Sequence, residues 1–187
     1  QQQFAALSDG EKISATVKAI SNSLTSRRLL SPAEAMNAIT VGAAHADDSG
    51  NAYPQFGQRV DVLPSQTLFS PATRLGFGFN RSIKPDILMP GGRQLYNAPM
   101  QDSSTLYSVD NSIIAPGQKV ALDSKKQGVL NSEAFWRGTS NATALATRGA
   151  VRLYDMLDRL RNEEGEDIPE TLMSVLMKTL LVHGAKQ

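Results

Sequence analysis

Apolar residues recur at three- and four-residue spacing between residues 142 and 160, and this is the most regular pattern in the chain. The positions are Ala142, Leu145, Ala146, Gly149, Ala150, Leu153, Leu157 and Leu160. Such spacing places all of them on one face of an α-helix. The first half of the face carries small residues, so another backbone can approach closely there. We therefore predict a buried helix.

Two weaker helical patterns lie near the ends of the chain. Residues 4 to 30 contain apolar positions at helical spacing, namely Ile13, Val17, Ile20 and Leu24. After a charged connector at residues 159 to 167, Ile168-Pro169 opens the other helix. Its predicted apolar face carries Leu172, Val175, Leu176, Thr179, Leu180 and His183. Gly184 is a good terminator, and His183 falls in the last turn, where the helix dipole favours an imidazolium.

Strand patterns occupy the middle of the chain. Residues 38–44 and 83–89 are predicted strands, and the loop of residues 50 to 80 between them is too long for a tight hairpin. Together with the small-residue helix, they indicate an α/β fold in which helices pack on a mostly parallel sheet. The β-prone runs 105–109 and 119–122 predict a hairpin or a small antiparallel patch.

Composition narrows the class of protein. The chain has 187 residues, of which 41% are apolar, with 19 basic and 18 acidic side chains. It is therefore long enough for one globular core, and its charge indicates neither a nucleic-acid partner nor a membrane surface. It contains no cysteine, which excludes disulfides and thiolate metal sites. No apolar run is long enough to span a bilayer.

Candidate chemistry lies at the start of the predicted central helix. Thr139 and Ser140 would sit at its N-terminal boundary, where free N–H groups and the helix dipole favour negative charge. An oxyanion could be stabilised there. The alternative is that Ser140 is a structural N-cap, since serine is a preferred residue at that position.

Three segments, in the same order, resemble the subtilisin-like serine peptidases. Residues 138–143, Gly-Thr-Ser-Asn-Ala-Thr, are similar to the nucleophile segment of that family. Residues 32–43 resemble its approach to a strand ending in Val-Gly-Ala, and residues 83–91 resemble its Lys-Pro-Asp strand ending in Pro-Gly. The resemblance implies that Ser140 is the nucleophile and that Thr139 and the Ser140 N–H stabilise the oxyanion. It also implies a polypeptide substrate, no cofactor and no metal.

The chain departs from the family pattern at three positions. Ala144 stands where the family usually has proline, Leu145 where histidine is common, and Met89 where alanine precedes Pro-Gly. Proline helps to set the first turn of a helix. Its replacement therefore affects the pose of Ser140 and leaves the nucleophile in place.

The resemblance also implies that this chain is one part of a three-layer domain. In the family, the catalytic Asp, a His-Gly-Thr-His segment and the oxyanion Asn all precede the Val-Gly-Ala strand, and none of those motifs is present here. We therefore expect the C-terminal portion of a catalytic domain, inactive alone and partnered by the N-terminal remainder. Its expected parts are a helical lead-in at 1–30, core strands and a loop at 31–91, a β-rich elaboration at 92–134, and the nucleophile motif with the C-terminal helices at 135–187.

Other interpretations stay open at this point. A degenerate peptidase module could serve as a binding or scaffold domain. The motif is also one residue away from the Gly-x-Ser-x-Gly elbow of α/β-hydrolases, but residues 132–137 before it are short and mixed for the required strand. His45 with Asp47 and Asp48 suggests a metal site, a general base with its acid, or only a polar loop. The Arg27-Arg28 pair is interpreted as a solvated surface.

Overall fold

The structure of the chain is a computed structural model. The structure describes residues 4–50, 59–64, 68–99, 106–124, 126–163 and 168–185. Three α-helices lie within those ranges: α1 (Asp9–Asn22), α2 (Thr139–Asn162) and α3 (Met173–His183). None of them is both long and apolar enough to cross a membrane.

The strands within the described ranges are short and belong to four small sheets. They are β1 (Val41–Ala44), β2 (Arg59–Asp61), β3 (Gly76–Phe77), β4 (Ile83–Lys84), β5 (Ile87–Pro90), β6 (Leu95–Asn97), β7 (Ser108–Val109), β8 (Gln118–Ala121) and β9 (Glu133–Trp136). Helices and strands are thus mixed, as in an α/β protein.

The centre of the fold is the parallel pair of β1 and β5. Val41 pairs with Ile87 and Ala44 pairs with Pro90. Helix α2 packs against both strands, with Ala142 and Ala146 buried on its inner face. The predicted packing of this helix on parallel strands is confirmed, and the small buried residues of β1 let the helix approach closely. A mostly parallel sheet is not observed within the described residues, because the other three sheets pair antiparallel.

Both central strands are shorter than predicted. Strand β1 begins at Val41, not at residue 38, because the Thr40 N–H donates to the Asp86 carboxylate over 2.7 Å. The predicted strand 83–89 is divided into β4 and β5. Pro85 has no N–H to donate, and the Asp86 N–H turns to the Thr40 carbonyl at 2.8 Å. The loop expected at 50 to 80 includes β2 and β3, while residues 51–58 and 65–67 lie outside the described ranges.

Of the two alternatives for the runs 105–109 and 119–122, the hairpin is wrong, because the runs do not pair with each other, whereas each does lie in a small antiparallel sheet. Strand β7 pairs antiparallel with β6, and β8 pairs antiparallel with β9. Strand β9 was missed by the sequence reasoning, because only Ala134 among its side chains is buried and the pattern is correspondingly weak. Its pairing depends on main-chain hydrogen bonds that any residue except proline can make. Residue 105, the first of the run 105–109, lies outside the described ranges.

The predicted inner face of α2 is confirmed, since all eight of its positions are buried or half-buried. The opposite face reaches solvent, with Val151, Tyr154 and Met156 about half exposed. The helix is therefore buried along one face only.

Helix α1 is shorter than the 4 to 30 region, and its N-terminus is closed by Ser8 and Glu11. The Ser8 N–H donates to the Glu11 carboxylate over 2.9 Å, as in a capping box. Ile20 is buried, but Val17 and Leu24 are partly exposed.

The predicted face of α3 is wrong. Leu172, which precedes the helix, and Val175 are exposed, whereas Met173 is buried and Leu181 is half-buried. Apolar residues occur all around this helix, so periodicity could not decide which side packs against α2.

Candidate active site

Ser140 is the second residue of α2, and its side chain is exposed. Thr139, the first residue, is half-buried. Gly138 precedes the helix with φ of 133°, a backbone conformation that favours glycine. The first turn contains no acidic residue, so its free N–H groups and the positive end of the helix dipole face no carboxylate of their own turn. The predicted location of Ser140 at the start of a helix is confirmed.

The start of α2 is anchored to the ends of the central strands. The Gly138 N–H donates to the Gly91 carbonyl over 2.8 Å, and the Gly91 N–H donates to the Ala44 carbonyl over 3.1 Å. Ser140 is therefore held near the carboxyl edge of the parallel pair, which is where α/β proteins bind their ligands. A Cβ at Gly91 would lie 2.3 Å from the Ala43 Cβ, so this close approach requires glycine.

Arg137 ties the nucleophile motif to the segment before β8. Its guanidinium donates to the main-chain carbonyls of Ser112, Ile114 and Pro116, the last over 2.7 Å. Burial lowers the pKa of Arg137, and the neighbouring Arg59 charge acts in the same direction. Sequence reasoning missed this residue. The only available signal was an arginine directly before Gly138, in a segment that was interpreted as too mixed for a strand.

Asp47 joins the loops that follow β1 and β5. Its carboxylate is fully buried, and it accepts hydrogen bonds from the N–H groups of Arg93 (2.8 Å) and Ser49 (2.9 Å). Burial alone would raise the pKa of Asp47, but these bonds outweigh it and the net pKa is lowered. The Ser49 hydroxyl in turn donates to the Gly117 carbonyl over 3.0 Å. Asp47 therefore organises loops around the strand ends.

His45 follows β1 directly, and its partner is Asp61, neither Asp47 nor Asp48. It is 2% exposed, and its Nε2 lies 2.9 Å from Asp61 Oδ1. The Gln94 N–H donates to its Nδ1 over 3.4 Å, which assigns the ring proton to Nε2. Residues 45–50 are irregular, as the polar-loop interpretation expects, although His45 itself is buried. His45 pairs with neither neighbouring carboxylate and forms no hydrogen bond with Ser140 within the described residues, so the general-base alternative is not observed.

The electrostatics of that pair follow from its position. Burial raises the pKa of Asp61, but its hydrogen bond and electrostatic interaction with His45, the hydrogen bond from the Leu63 N–H and the Arg93 charge outweigh it, and the net pKa is lowered. Within the residues the structure describes, no group of three His, Asp or Glu side chains could hold a metal ion.

Neither histidine reaches the candidate nucleophile. His45 is occupied as above, and His183 is exposed at the last residue of α3, on a different helix from Ser140. Over the described ranges, the hydroxyl of Ser140 forms no hydrogen bond with either ring.

Comparison with known proteins assigns the family. A model of the subtilase family matches residues 2–187 of the chain. Comparisons with curated proteins and with solved structures give no match. The subtilases are a family of serine peptidases, which are hydrolases. Because the match extends over nearly the whole sequence, the chain belongs to the subtilase family.

Proposed function

We propose that Ser140 is the nucleophile of a subtilisin-like serine endopeptidase. Its Oγ attacks the carbonyl carbon of a scissile peptide bond while a general base takes its proton. The Ser140 N–H donates to the oxyanion that forms, and Thr139 assists. The substrate is an extended polypeptide, and the chemistry requires no cofactor.

The observation that carries this proposal is the exposure of Ser140 in the first turn of α2. A nucleophile must be reachable, whereas a structural cap need not be. The N–H groups of that turn favour a developing negative charge and cost no reorganisation during the reaction. The hydrogen bond from Gly138 to Gly91 keeps the turn beside the strand ends, which supports a preorganised site.

We further propose that the base, its orienting acid and the oxyanion Asn come from an N-terminal remainder of the catalytic domain. Support comes from the two histidines, since His45 is buried against Asp61 and His183 ends a different helix. A serine without an adjacent base is a weak nucleophile. We therefore expect the 187-residue chain to be catalytically silent and the longer protein to be active.

A fluorophosphonate probe tests the proposal. The 187-residue chain and a longer chain that includes the upstream segment are each incubated with the probe and with an unfolded protein substrate. We expect labelling and cleavage by the longer chain only, both lost in Ser140→Ala. Ser174→Ala is the matched control, because Ser174 is also the exposed second residue of a helix. It should leave labelling unchanged.

Two results would contradict the proposal at different steps. Labelling of the 187-residue chain by itself would refute the claim that the base lies outside it. A correctly folded longer chain that neither labels nor cleaves would refute the peptidase assignment. That second result would favour a degenerate module used for binding or as a scaffold, which the absence of a histidine partner for Ser140 within the described residues also supports.

A further inference from the structure

A cavity of about 330 Å³ lies between α1 and the sheet of β2, β6 and β7. Its walls are largely apolar and aromatic, and include Ile20, Val62, Phe4, Tyr96 and Tyr107. The rings of Phe4 and Tyr107 meet edge to face, with their centroids 5.4 Å apart. No part of the proposed peptidase chemistry uses this cavity.

One positive charge lines this cavity. Arg27 was interpreted as part of a solvated pair, which is correct for the exposed Arg28 and wrong for Arg27, which is half-buried. The Arg27 Nη2 donates to the carbonyls of Pro71 and Thr73. Its Nε and Nη1 form no hydrogen bond within the described residues, and no carboxylate there forms an ion pair with it. The guanidinium is thus held in place by two carbonyls with its charge unneutralised.

Tyr96 supplies a second polar group in the same cavity. Burial raises the pKa of its phenol, and the Arg27 charge acts in the opposite direction. The phenol therefore keeps its proton at neutral pH and can donate a hydrogen bond. Its hydroxyl has no hydrogen-bond partner among the described residues.

We propose that this cavity binds a small organic acid, with the apolar body of the ligand among the aromatic rings and its carboxylate on Arg27 and Tyr96. An apolar pocket with a few polar groups is the usual form of a small-molecule site. The carboxylate is favoured because the guanidinium charge is not neutralised by a described carboxylate, and its remaining Nε and Nη1 donors can each form a charge-assisted hydrogen bond. The volume lies at the small end of such sites, of about 300–1,000 Å³, which favours a compact acid over a peptide.

Isothermal titration calorimetry with 3-phenylpropionate and its neutral amide, 3-phenylpropionamide, tests the charge recognition. The two probes have the same apolar body and differ in the group offered to Arg27, which is a charged carboxylate in the acid and a neutral amide in the control. We expect saturable one-to-one binding of the acid, with an affinity roughly 10- to 100-fold above that of the amide. Equal affinities, or no saturable binding of the acid at millimolar concentrations, would overturn the proposal.

Variants of the same chain locate the site. Arg27→Gln should bring the acid down to the affinity of the amide, while Arg28→Gln, the matched control on the exposed neighbour, should leave the difference intact. Ala19→Trp places a large ring at the cavity mouth, since Ala19 lines the cavity and is exposed. It should weaken binding of both probes at least about tenfold.

Arg27 also holds two carbonyls, so the fold of each variant is checked by circular dichroism. If Arg27→Gln unfolds, Ala19→Trp and Arg28→Gln decide the question with the guanidinium in place. Unchanged binding in a folded Ala19→Trp, or lost acid preference in Arg28→Gln, would show that the acid binds elsewhere and would refute the proposal.

Discussion

Replacing Gly91 with alanine is expected to destabilise the fold and to displace the start of α2. Gly91 follows β5 and accepts the Gly138 N–H over 2.8 Å, so it connects the central strands to the nucleophile motif. An added Cβ would lie 2.3 Å from the Ala43 Cβ and 3.0 Å from the Gly138 carbonyl oxygen. Non-bonded carbons pack at about 3.5–4.0 Å. The neighbouring backbone must therefore move by roughly 1 Å.

The magnitude depends on how little the surroundings can adjust. Ala43 is 0% exposed and lies within β1, and its methyl group has no rotamer that would remove the clash. Overpacking of this kind costs about 1–3 kcal/mol, and the rigid neighbours favour the upper end. The same displacement should lengthen the bond between Gly138 and Gly91, and this would loosen the turn that carries Ser140.

Urea unfolding followed by circular dichroism measures the effect. With a slope near 2 kcal/mol per molar urea, the midpoint of Gly91→Ala should fall by about 0.5–1.5 M. Gly149→Ala is the matched control in the middle of α2, where the added Cβ would meet only Leu181 Cδ2, at 3.8 Å. That change should stabilise the helix by about 0.8–1 kcal/mol. A midpoint for Gly91→Ala at or above that of the wild type, with an unchanged slope, would refute the steric argument.

Three further predictions concern stability measured in the same assay. Arg137→Met removes a guanidinium that donates to three carbonyls, and should lower the free energy of unfolding by about 3 kcal/mol or more. Lys119→Met, which removes one partner of an exposed ion pair, should lower it by at most about 1 kcal/mol. Equal losses would contradict the structural role of Arg137. Burial raises the pKa of Asp110, but the hydrogen bonds from Ser112 and Arg59 outweigh it and lower the net pKa. A carboxyl group whose pKa is lower in the folded state stabilises the fold above its unfolded pKa, and this stabilisation is lost as the pH falls through its folded pKa. The free energy of unfolding should therefore decline below about pH 4. Asp110→Asn should flatten that decline, and an unchanged slope would show that other groups cause it. Leu157→Ala truncates a residue that is only 5% exposed, and should lower the free energy of unfolding by about 2–4 kcal/mol. Val151→Ala, on the exposed face of the same helix, should change it by about 0.5 kcal/mol. Similar values for the two variants would contradict the assigned faces.

The apolar repeat of the long helix and the short strand motifs could be recognised from the sequence alone. The helix after Ser140 repeats small and apolar residues over five turns, and all eight of its predicted inward positions avoid full exposure. The strands predicted at 38–44 and 83–89 were expected in a mostly parallel sheet, and β1 and β5 within them form a parallel pair. The helix face and the strand positions are local features, because each is set by the spacing of residues along a single element.

The pairing of the short strands could not be predicted in the same way. Strand β8 pairs with β9 and not with β7. Both candidate partners are runs of only a few residues, and neither has a strong pattern of apolar positions. Such strands bury few side chains, and the main-chain hydrogen bonds that join them carry no residue identity. The inward side of α3 escaped prediction for a related reason, since a helix that is apolar all around shows no preferred face.

The sequence by itself determined the family, the position of Ser140 at a helix start and the helix face that covers the central strands, because a motif and a 3.6-residue period are both contained in one stretch of chain. Only the tertiary structure decided which polar side chains meet. It paired His45 with Asp61 and not with the carboxylates beside it, and it turned Arg137 toward three distant carbonyls. It also brought Arg27 to the aromatic cavity. Those contacts join residues 16 to more than 40 positions apart. Such partners are selected by the packing of whole elements, because most buried polar groups in a folded protein are hydrogen-bonded to whatever group the fold places beside them.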